Sequence, residues 1–500
     1  MRSIGALAAN GRSALHVGGT RDSGWDDCPA ALGQWCCVEI QARVKVFTYS
    51  PTGENSGRDA LNHSEVLQLA AHFLSSKPAM QSILCGRFPI LLIDESQDTN
   101  KSLVEALFAV QAANSSRFLL GLLGDMMQRI YNDGKDGLDA GLPATWAKPV
   151  KKLNYRCPKR IVRLINAVRL TTDGQQQTPR SGAIEGVVRL FVLPSTQANK
   201  PDAEGPIRQH MAQQTGDPAW GDQAAVKTLV LEHRMAAARL GFLDAFGPLY
   251  DFDSWRTGLL DGKLSLVNFF SVSVISLVDA RRSGDRFAVA RTLKASSPLL
   301  TSEAVRNAPD KQMHLKSIDS AVDALIQLWD QGADPSLQQV LQRVADHNLL
   351  DMPDLLREHA TGGAIDDDGS DDALSERDEA IRGFLGAPFS QVRAMAQYLG
   401  GHAPFDTHQG VKGLEFDRVM VVMDDSEARG FLFKYEQIFG GSDTGSKSAQ
   451  GTKRLFYVTA SRAKQSLALV AYTTDPARVK DFVLAEGWFD NGEIVMGIPA

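Results

Sequence analysis

The stretch Leu91–Asn100 reads LLIDESQDTN and indicates the fold more clearly than any other part of the chain. It overlaps the apolar run Pro89–Ile93, which is typical of a buried strand in a parallel sheet, and continues into the acids Asp94 and Glu95. A strand-end aspartate can hold Mg²⁺ on nucleotide phosphates, and a neighbouring glutamate can orient or deprotonate a water. Solvated acids at the end of a strand explain the same residues equally well.

Helix and strand patterns alternate on both sides of this stretch. SEVLQLAAHFL begins at Ser64 with a capping candidate, and Ser102–Ala113 has a second helical pattern. Phe118–Leu123 (FLLGLL) predicts a second buried strand, which ends at Gly124-Asp125. This alternation predicts an α/β fold with an open parallel sheet, in which ligands bind beyond the carboxyl ends of the strands. Asp94 and Asp125 are expected at that edge.

Apolar runs later in the chain predict a second sheet, and they are Val187–Leu193, Leu229–Leu231, Val419–Met423 and Leu467–Tyr472. The residues from about 240 to 400 carry mostly helical patterns, which indicates an inserted domain. Residues 1 to about 60 are rich in Gly, Ser and Ala, and only Val38–Thr48 alternates like a strand.

Composition excludes several classes of protein. The chain has 500 residues, 43% hydrophobic and 22% charged, which excludes a wholly disordered or fibrous protein and suggests about three domains. A net charge of −6 argues against a uniformly basic nucleic-acid coat. Five scattered cysteines indicate neither a disulfide framework nor a zinc site. The sequence has no apolar run long enough for a membrane span, so no membrane partner and a cytoplasmic location are expected.

Four further segments follow LLIDESQDTN in a fixed order. They are GDMMQRIY (Gly124–Tyr131), NYRC (Asn154–Cys157), THQGVKGLEFD (Thr407–Asp417) and FYVTASRAK (Phe456–Lys464). With LLIDESQDTN they resemble motifs II to VI of the UvrD/Rep-type superfamily 1 DNA helicases, over roughly residues 60–240 and 400–475. Five ordered matches are far more specific than any single one. The resemblance implies RecA-like lobes, ATP and Mg²⁺ as cofactors, and single-stranded and duplex DNA as partners; protein partners stay unknown.

The resemblance assigns catalytic roles to five residues. Asp94 would hold Mg²⁺, and Glu95 would activate the attacking water. Gln128 would sense the γ-phosphate and couple it to the DNA track. Arg156 and Arg462 would contact the phosphates, the latter as an internal arginine finger. Such a set suits phosphoryl transfer, which depends on positioning and on neutralising charge on the phosphate oxygens.

The resemblance also assigns binding roles. Tyr155 would stack on the adenine, Glu415 would bind the ribose, and Gly413 would permit close backbone approach. Tyr131, Thr407 and His408 would contact DNA. Lys412 and Lys464 are more simply explained as surface lysines than as phosphate ligands.

Two departures from the family pattern stand out. No G-x-x-x-x-G-K-[ST] loop occurs in residues 1–93, and the nearest string, Gly440–Ser448, has Ser446 where lysine is required. A truncated chain, a natural degenerate helicase and a loop supplied by a second polypeptide each explain this absence; truncation is the leading expectation. We therefore expect weak or no ATP turnover. After Tyr131, an aromatic-Arg-Gly segment is also missing, which weakens the predicted base-stacking platform. The competing function is a catalytically silent DNA- or protein-binding helicase remnant.

The sequence thus predicts an α/β protein with RecA-like parallel-sheet lobes, the first incomplete, and a mostly helical insertion. The predicted divisions are an atypical N-terminal segment (1–60), a partial first lobe (61–150), a second lobe (151–240 with 400–490) and the inserted helical domain (241–399). The complete form would be an ATP-dependent translocase and helicase on single-stranded DNA, with 3′ to 5′ polarity and a role in DNA repair by family analogy.

Overall fold

A computed structural model describes residues 47–49, 60–130, 134–135, 137–138, 141–360, 376–428, 433–442 and 445–499. The chain divides into two compact units, and each is described by itself. The first comprises Met1–Leu91 with Ser102–Leu120, and the second comprises Leu92–Lys101 with Gly121–Ala500. Helices and parallel sheets together confirm the α/β class.

The first unit contains short parallel strands and helices. The elements that begin here are β1 (Thr48–Tyr49), β2 (Ala60–Leu61), α1 (His63–Ser76), α2 (Pro78–Arg87) and α3 (Lys101–Ala113). The predicted strand Val38–Thr48 falls almost wholly outside the described residues. Asn62, and not the predicted Ser64, caps α1, because its side chain accepts the N–H of Glu65 while the Glu65 carboxylate accepts the N–H of Asn62.

Strands β3 (Ile90–Ile93) and β4 (Leu119–Leu122) pair in a two-stranded sheet. Leu119 N–H donates to Pro89 O and Leu123 N–H donates to Ile93 O, both at 2.8 Å, so the register is that of a parallel pair. The expectation that both strands are buried is wrong for alternate residues: Ile90 is 62% exposed, Leu92 64% and Leu119 53%. Among the described residues no third strand joins this sheet, and one face therefore stays uncovered.

The second unit is built on a six-stranded parallel sheet. All four apolar runs predicted as strands join it, which confirms those predictions. A separate short pair precedes it, β5 (Leu153–Asn154) with β6 (Thr178–Pro179). The sheet has the order β12-β7-β11-β10-β8-β9, and its strands are β7 (Val187–Pro194), β8 (Lys227–Val230), β9 (Phe405–Thr407), β10 (Phe416–Met423), β11 (Ala463–Thr473) and β12 (Ile494–Met496).

The residues described between β8 and β9 form helices that turns and loops connect. Two helices precede β8, namely α4 (Lys159–Leu170) and α5 (Lys200–Thr215). The helical segment after β8 begins with α6 (His233–Arg239). The bundle then contains α7 (Leu243–Asp251), α8 (Asp253–Leu260), α9 (Ser265–Asn268), α10 (Ile275–Arg282), α11 (Arg286–Ser296), α12 (Ser302–Asn307), α13 (Lys311–Ile326), α14 (Leu337–Asp346), α15 (Asp354–Ala360), α16 (Glu376–Gly386) and α17 (Ser390–Leu399). A π-helical turn, Phe269–Val274, joins α9 to α10.

Three helices follow β10, namely α18 (Tyr435–Phe439), α19 (Lys447–Ala460) and α20 (Pro476–Ala485). The core of the sheet is apolar on both faces, since Val419–Val422 and Leu467–Val470 are fully buried. Strands covered on both faces carry continuous apolar runs, which is why these segments were legible in the sequence. In the described part of the chain no single helix is long and apolar enough to cross a membrane; the bent pair Asp253–Leu260 and Ser265–Arg282 reaches that length and composition only jointly.

Candidate functional site

The turn after β3 presents the two predicted catalytic acids. Asp94 is exposed, and its Oδ1 accepts the N–H of Glu95 at 2.9 Å. Glu95 has φ +50° and ψ +40°, a left-handed conformation that non-glycine residues adopt rarely. A single 3₁₀ turn, Ser96–Asp98, follows. Strain of this kind is held in place by its surroundings and concentrates at functional positions.

Two side chains contact the carboxylate of Glu95. Gln97 Nε2 donates to Glu95 Oε2 at 2.6 Å, and Lys412 Nζ lies 2.9 Å from the same oxygen. Lys412 also pairs with Asp98, and its side chain is only 11% exposed, so it is not a surface lysine. Burial acts to raise the pKa of Glu95, but the contacts with Lys412 and Gln97 and the charge of Arg462 outweigh it and lower that pKa. Glu95 is therefore an anion at neutral pH.

Gln97 is a site residue that the sequence did not single out. It is buried, and besides its bond to Glu95 its Oε1 accepts the N–H of Asp125 at 3.2 Å. A Cβ at Gly124 would lie 2.1 Å from that Oε1, so only glycine fits there. Gln97 thus joins the turn after β3 to the turn after β4. Its place in the quoted motif was the available signal, but periodicity does not reveal a buried amide.

Gln128 lies in the turn that follows β4. Asp125 begins the 3₁₀ turn Met126–Gln128 and accepts the N–H of Met127 at 3.0 Å. Gln128 is half-buried, and its Nε2 donates to Asp125 Oδ2 at 3.5 Å. The predicted DNA contact Tyr131 lies outside the described residues.

The NYR segment forms a tight turn around Asn154. Asn154 Oδ1 accepts the N–H groups of Arg156 at 3.0 Å and Cys157 at 2.8 Å. This arrangement leaves Tyr155 65% exposed, with its ring available for stacking. The exposure suits the predicted adenine contact, which no feature of the protein alone tests.

Arg156 joins two segments from the far end of the sequence. Its Nε lies 3.1 Å from Glu415 Oε2, and one terminal nitrogen donates to Ser461 O at 3.3 Å. Lys464 Nζ lies 3.8 Å from the other Glu415 oxygen and 3.2 Å from Asp417. These pairs are partly exposed, so each contributes little to stability and can be exchanged for a ligand.

Arg462 is buried in this structure. Its guanidinium donates to Val458 O at 2.9 Å, to Leu414 O at 3.2 Å and to Ser461 Oγ at 3.0 Å. Burial, and then the nearby charge of Arg156, lower the pKa of Arg462 to about 10. Contact with a phosphate therefore needs a change in this side chain's hydrogen bonds.

The predicted site residues lie at two different kinds of strand end, some after a strand and others before one. Asp94 and Asp125 follow the carboxyl ends of β3 and β4, as the sequence predicts. Glu415 and Arg462 instead come directly before β10 and β11, at the amino edge of the six-stranded sheet. The general expectation for open sheets, that ligands lie beyond the carboxyl ends, does not hold for this second contribution.

Comparison with known proteins agrees with the geometry. Residues 42–132 match the model of the UvrD/REP helicase N-terminal domain. This part of the chain is UvrD-like. The Gabija protein GajB of Bacillus cereus (strain HuB5-5) is 21% identical over 451 residues, which are 84% of this chain and 63% of that protein. The chain thus spans less than two thirds of the length of this curated relative.

Two predicted DNA contacts lie in the core. His408 is fully buried; Nδ1 pairs with Tyr435 Oη at 2.9 Å and Nε2 with Leu229 O at 3.3 Å. Thr407 is also buried, and its Oγ1 accepts the N–H of Gly410 at 3.0 Å. Thr407 ends β9 and His408 follows it, and the hydrogen bonds of both side chains are made within the protein. Direct contact of these two residues with DNA stays a prediction.

Gly413 has φ +84°, and nothing lies within 4 Å of the place where a Cβ would project. The left-handed backbone, rather than crowding, therefore requires glycine here. The open space beside it leaves the prediction of close backbone approach by the nucleotide standing.

The residues present fit a magnesium ion carried by nucleotide phosphates. The described residues contain no group of three His, Cys, Asp or Glu side chains that could hold a metal alone. Mg²⁺ commonly binds through one or two carboxylates, waters and substrate phosphates, and exposed Asp94 offers one such carboxylate.

Proposed function

We propose that this chain is an ATP-dependent DNA translocase and helicase, which couples hydrolysis of ATP with Mg²⁺ to movement on single-stranded DNA. The UvrD-like match of residues 42–132 supports this assignment at the level of the family. The observation that carries the proposal is the meeting of Arg156 with Glu415 and with Ser461, the residue before Arg462, while Lys412 and Gln97 hold Glu95.

That meeting brings together the charges that phosphoryl transfer requires. Arg156 donates to the carbonyl of Ser461, the residue before Arg462, and both Arg156 and Glu95 influence the pKa of Arg462. In the proposed reaction the anionic Glu95 positions a water, and the two guanidinium groups neutralise charge on the phosphate. The mutual repulsion of the arginines is relieved when a polyphosphate lies between them.

Each residue has a defined part in the proposed reaction. Asp94 holds Mg²⁺, which neutralises charge on the phosphate oxygens when it is bound. Glu95 accepts a proton from, or orients, the attacking water, and Gln128 contacts the γ-phosphate. Arg156 and Arg462 stabilise the charge that develops on transfer.

Nucleotide specificity is assigned to the surface around the NYR turn. Tyr155 supplies an exposed ring for the adenine, and Glu415, which exchanges its pairing with Arg156, binds the ribose. A groove of about 390 Å³ opens beside Glu415 and Lys464, so Glu415, the proposed contact for the ribose, is reachable from solvent.

DNA-stimulated phosphate release tests the proposal. Wild-type protein with single-stranded DNA, ATP and Mg²⁺ should release phosphate, and Glu95→Gln should reduce the rate by about 100-fold or more. Because the sequence has no phosphate-cradling glycine-lysine loop, the expected rate is low, and single-turnover conditions with excess protein are used. Glu303→Gln is the matched control, since Glu303 is exposed and lies on α12, outside the motifs.

The outcome separates a motor from a binding module. Release that depends on DNA and on Glu95 supports the proposal. Wild-type release no greater than that of Glu95→Gln, with DNA binding retained, identifies a catalytically silent module instead. Duplexes with a 3′ or a 5′ single-stranded tail then test polarity, and unwinding of the 3′-tailed duplex is expected. The cytoplasmic location and the role in DNA repair stay predictions.

A further inference from the structure

A buried arginine outside every motif lies between two of the motifs. Arg169 is near the end of α4, and its side chain is 3% exposed. It reaches both carboxylate oxygens of Asp125, at 3.0 and 3.2 Å, and both of Asp173, at 3.1 and 2.6 Å. It also donates to the hydroxyl of Tyr457 at 3.0 Å. We call Asp125, Arg169, Asp173, Gln177 and Tyr457 the Arg169 junction.

One side of the junction holds the turn that contains Gln128. The Asp125 carboxylate that binds Arg169 also accepts the N–H of Met127 and the side-chain amide of Gln128. The orientation of Gln128, the proposed γ-phosphate contact, therefore depends on where this carboxylate is fixed. Asp125 has a backbone anchor too, because its N–H donates to Gln97.

The other side of the junction holds the helix that leads to Arg462. Tyr457 lies on α19, five positions before Arg462, and is buried. Its hydroxyl donates to Asp125 Oδ2 at 3.1 Å and accepts from Gln177 Nε2 at 2.9 Å. The Arg169 guanidinium carbon lies 5.1 Å from the centroid of the Tyr457 ring. A shift of α19 would therefore strain the bonds to Asp125.

The chemistry of the junction requires arginine. Two partly exposed carboxylates would repel each other without a cation between them, and the buried Arg169 needs paired acids for its charge. Burial acts to lower the pKa of Arg169, but the paired acids outweigh it and keep the side chain protonated. A guanidinium forks to two carboxylates and a hydroxyl at once, whereas the single ammonium of lysine cannot reproduce that planar set.

We infer that Arg169 is a positioning residue for ATP hydrolysis, which holds Asp125, and through it Gln128, against α19, the helix that leads to Arg462. The inference rests on the proposed function of Gln128 and Arg462. Arg169 touches no substrate in this role; it links the γ-phosphate contact to the arginine finger, so the two move together.

A kinetic experiment on the full chain tests the link. Arg169→Met should lower kcat by about 10- to 100-fold, because small misplacements of catalytic groups cost that much, and should leave KM for ATP and DNA affinity nearly unchanged. In a Gln128→Ala background, the same substitution should have little further effect, because both act on one contact. Arg163→Met is the matched control, since Arg163 lies on the same helix with its side chain 57% exposed.

A second measurement does not depend on turnover. Hydrogen–deuterium exchange of the nucleotide-free chain should show faster exchange in Asp125–Gln128 and in Tyr457–Arg462 for Arg169→Met, but not for Arg163→Met. If the wild type hydrolyses no ATP, the proposed function fails, and exchange alone still decides whether the junction couples these segments. Unchanged exchange in either segment, or additive losses of kcat with Gln128→Ala, overturns the inference.

A milder variant guards against misfolding. Tyr457→Phe removes only the hydroxyl that bridges Asp125 and Arg169, and it preserves the packing of the ring. We expect a smaller fall in kcat and the same two segments to exchange faster. Wild-type kcat and wild-type exchange in Tyr457→Phe, together with an Arg169→Met protein that does not fold, would leave Arg169 a purely structural residue and so contradict the inference.

Discussion

At the scale of single residues, Glu95 is held as an anion by neighbouring charge and by its backbone conformation. Its left-handed φ places the carboxylate against Lys412 and Gln97 instead of along the exposed end of β3. The buried side-chain amide of Gln97 donates through Nε2 to Glu95 and accepts through Oε1 from Asp125, so it fixes these two residues relative to each other. A lysine that seemed ordinary in the sequence is thus part of the same charge cluster.

Lys412→Met should shift the acid limb of the pH profile. Because Lys412 lowers the pKa of Glu95 and burial raises it, removal of the lysine leaves burial less opposed, and that pKa rises. Glu95 acts in its ionised form, so the activity lost on acidification is lost at higher pH in the variant. Measurement of kcat/KM between pH 4 and 8 checks this. Lys294→Met, at an exposed lysine, serves as control, and an unshifted acid limb contradicts the prediction.

At the scale of elements, the end of β9 is fixed by a buried histidine. His408 bonds to Tyr435 of α18 and to the carbonyl of Leu229 in β8, so one ring ties three elements together. Burial lowers the pKa of His408 to about 3, although backbone hydrogen bonds oppose that shift. The ring is therefore neutral in the folded protein at all but strongly acid pH.

His408→Gln should reduce the fall in the free energy of unfolding that accompanies acidification. An unfolded histidine titrates near pH 6.5, so below that pH the unfolded state binds a proton that the folded state refuses down to about pH 3. Stability therefore falls with decreasing pH by up to about 1.4 kcal/mol per pH unit from this residue, and the variant lacks that contribution. Urea unfolding at pH 7, 6 and 5 measures the slope. His402→Gln, at an exposed histidine, should keep the wild-type slope.

The uncovered face of β3 has a different consequence at this scale. Ile90 and Leu92 project from one face of a short strand and are mostly exposed. Exposed apolar strand residues favour association between chains. The Ile90→Thr, Leu92→Thr double variant should therefore aggregate less in concentrated solution, by light scattering, with little change in Tm. Leu120→Thr, at a buried position of β4, should lower Tm without that benefit; equal aggregation by the double variant and wild type would contradict the prediction.

At the scale of the whole molecule, sequence order and spatial order differ sharply. The helical segment between β8 and β9 leaves the sheet intact because β9 returns to pair with β8, at Thr228–Val230 with Phe405–Thr407. Strand β10 then pairs with the other edge of β8. The helical segment therefore leaves β10 and β11, the strands that directly follow Glu415 and Arg462, in register.

The sequence predicted what periodicity and motif order encode. The four apolar runs of the six-stranded sheet were legible because both faces are buried, whereas the exposure of Ile90 depends on what lies beside the strand and has no local signal. Motif order indicated which residues matter, but not their state. The contact of Lys412 with Glu95 joins segments hundreds of residues apart, and the burial of Arg462 and His408 likewise depends on tertiary packing.

The arrangement of charge across the second unit leads to a prediction about ligand binding. Arg156 and Arg462 repel each other, and each now relies on protein oxygens for its hydrogen bonds. A non-hydrolysable ATP analogue with Mg²⁺ should raise Tm, because a ligand at 100 times its Kd stabilises the folded state by about 2.7 kcal/mol. Arg156→Met should abolish this rise while changing the ligand-free Tm little, since its pair with Glu415 is partly exposed.

Two further variants make the thermal-shift measurement selective. Glu95→Gln should keep the rise in Tm, since it removes the base for hydrolysis and retains both arginines. Arg291→Met, at an exposed arginine, should also keep it. A full rise in Arg156→Met would mean that the analogue binds elsewhere, because loss of one of two phosphate-facing cations cannot leave the affinity for a polyphosphate unchanged. The rise in Tm of Arg156→Met, compared with that of the wild type, therefore decides whether the nucleotide binds at the amino edge of the six-stranded sheet.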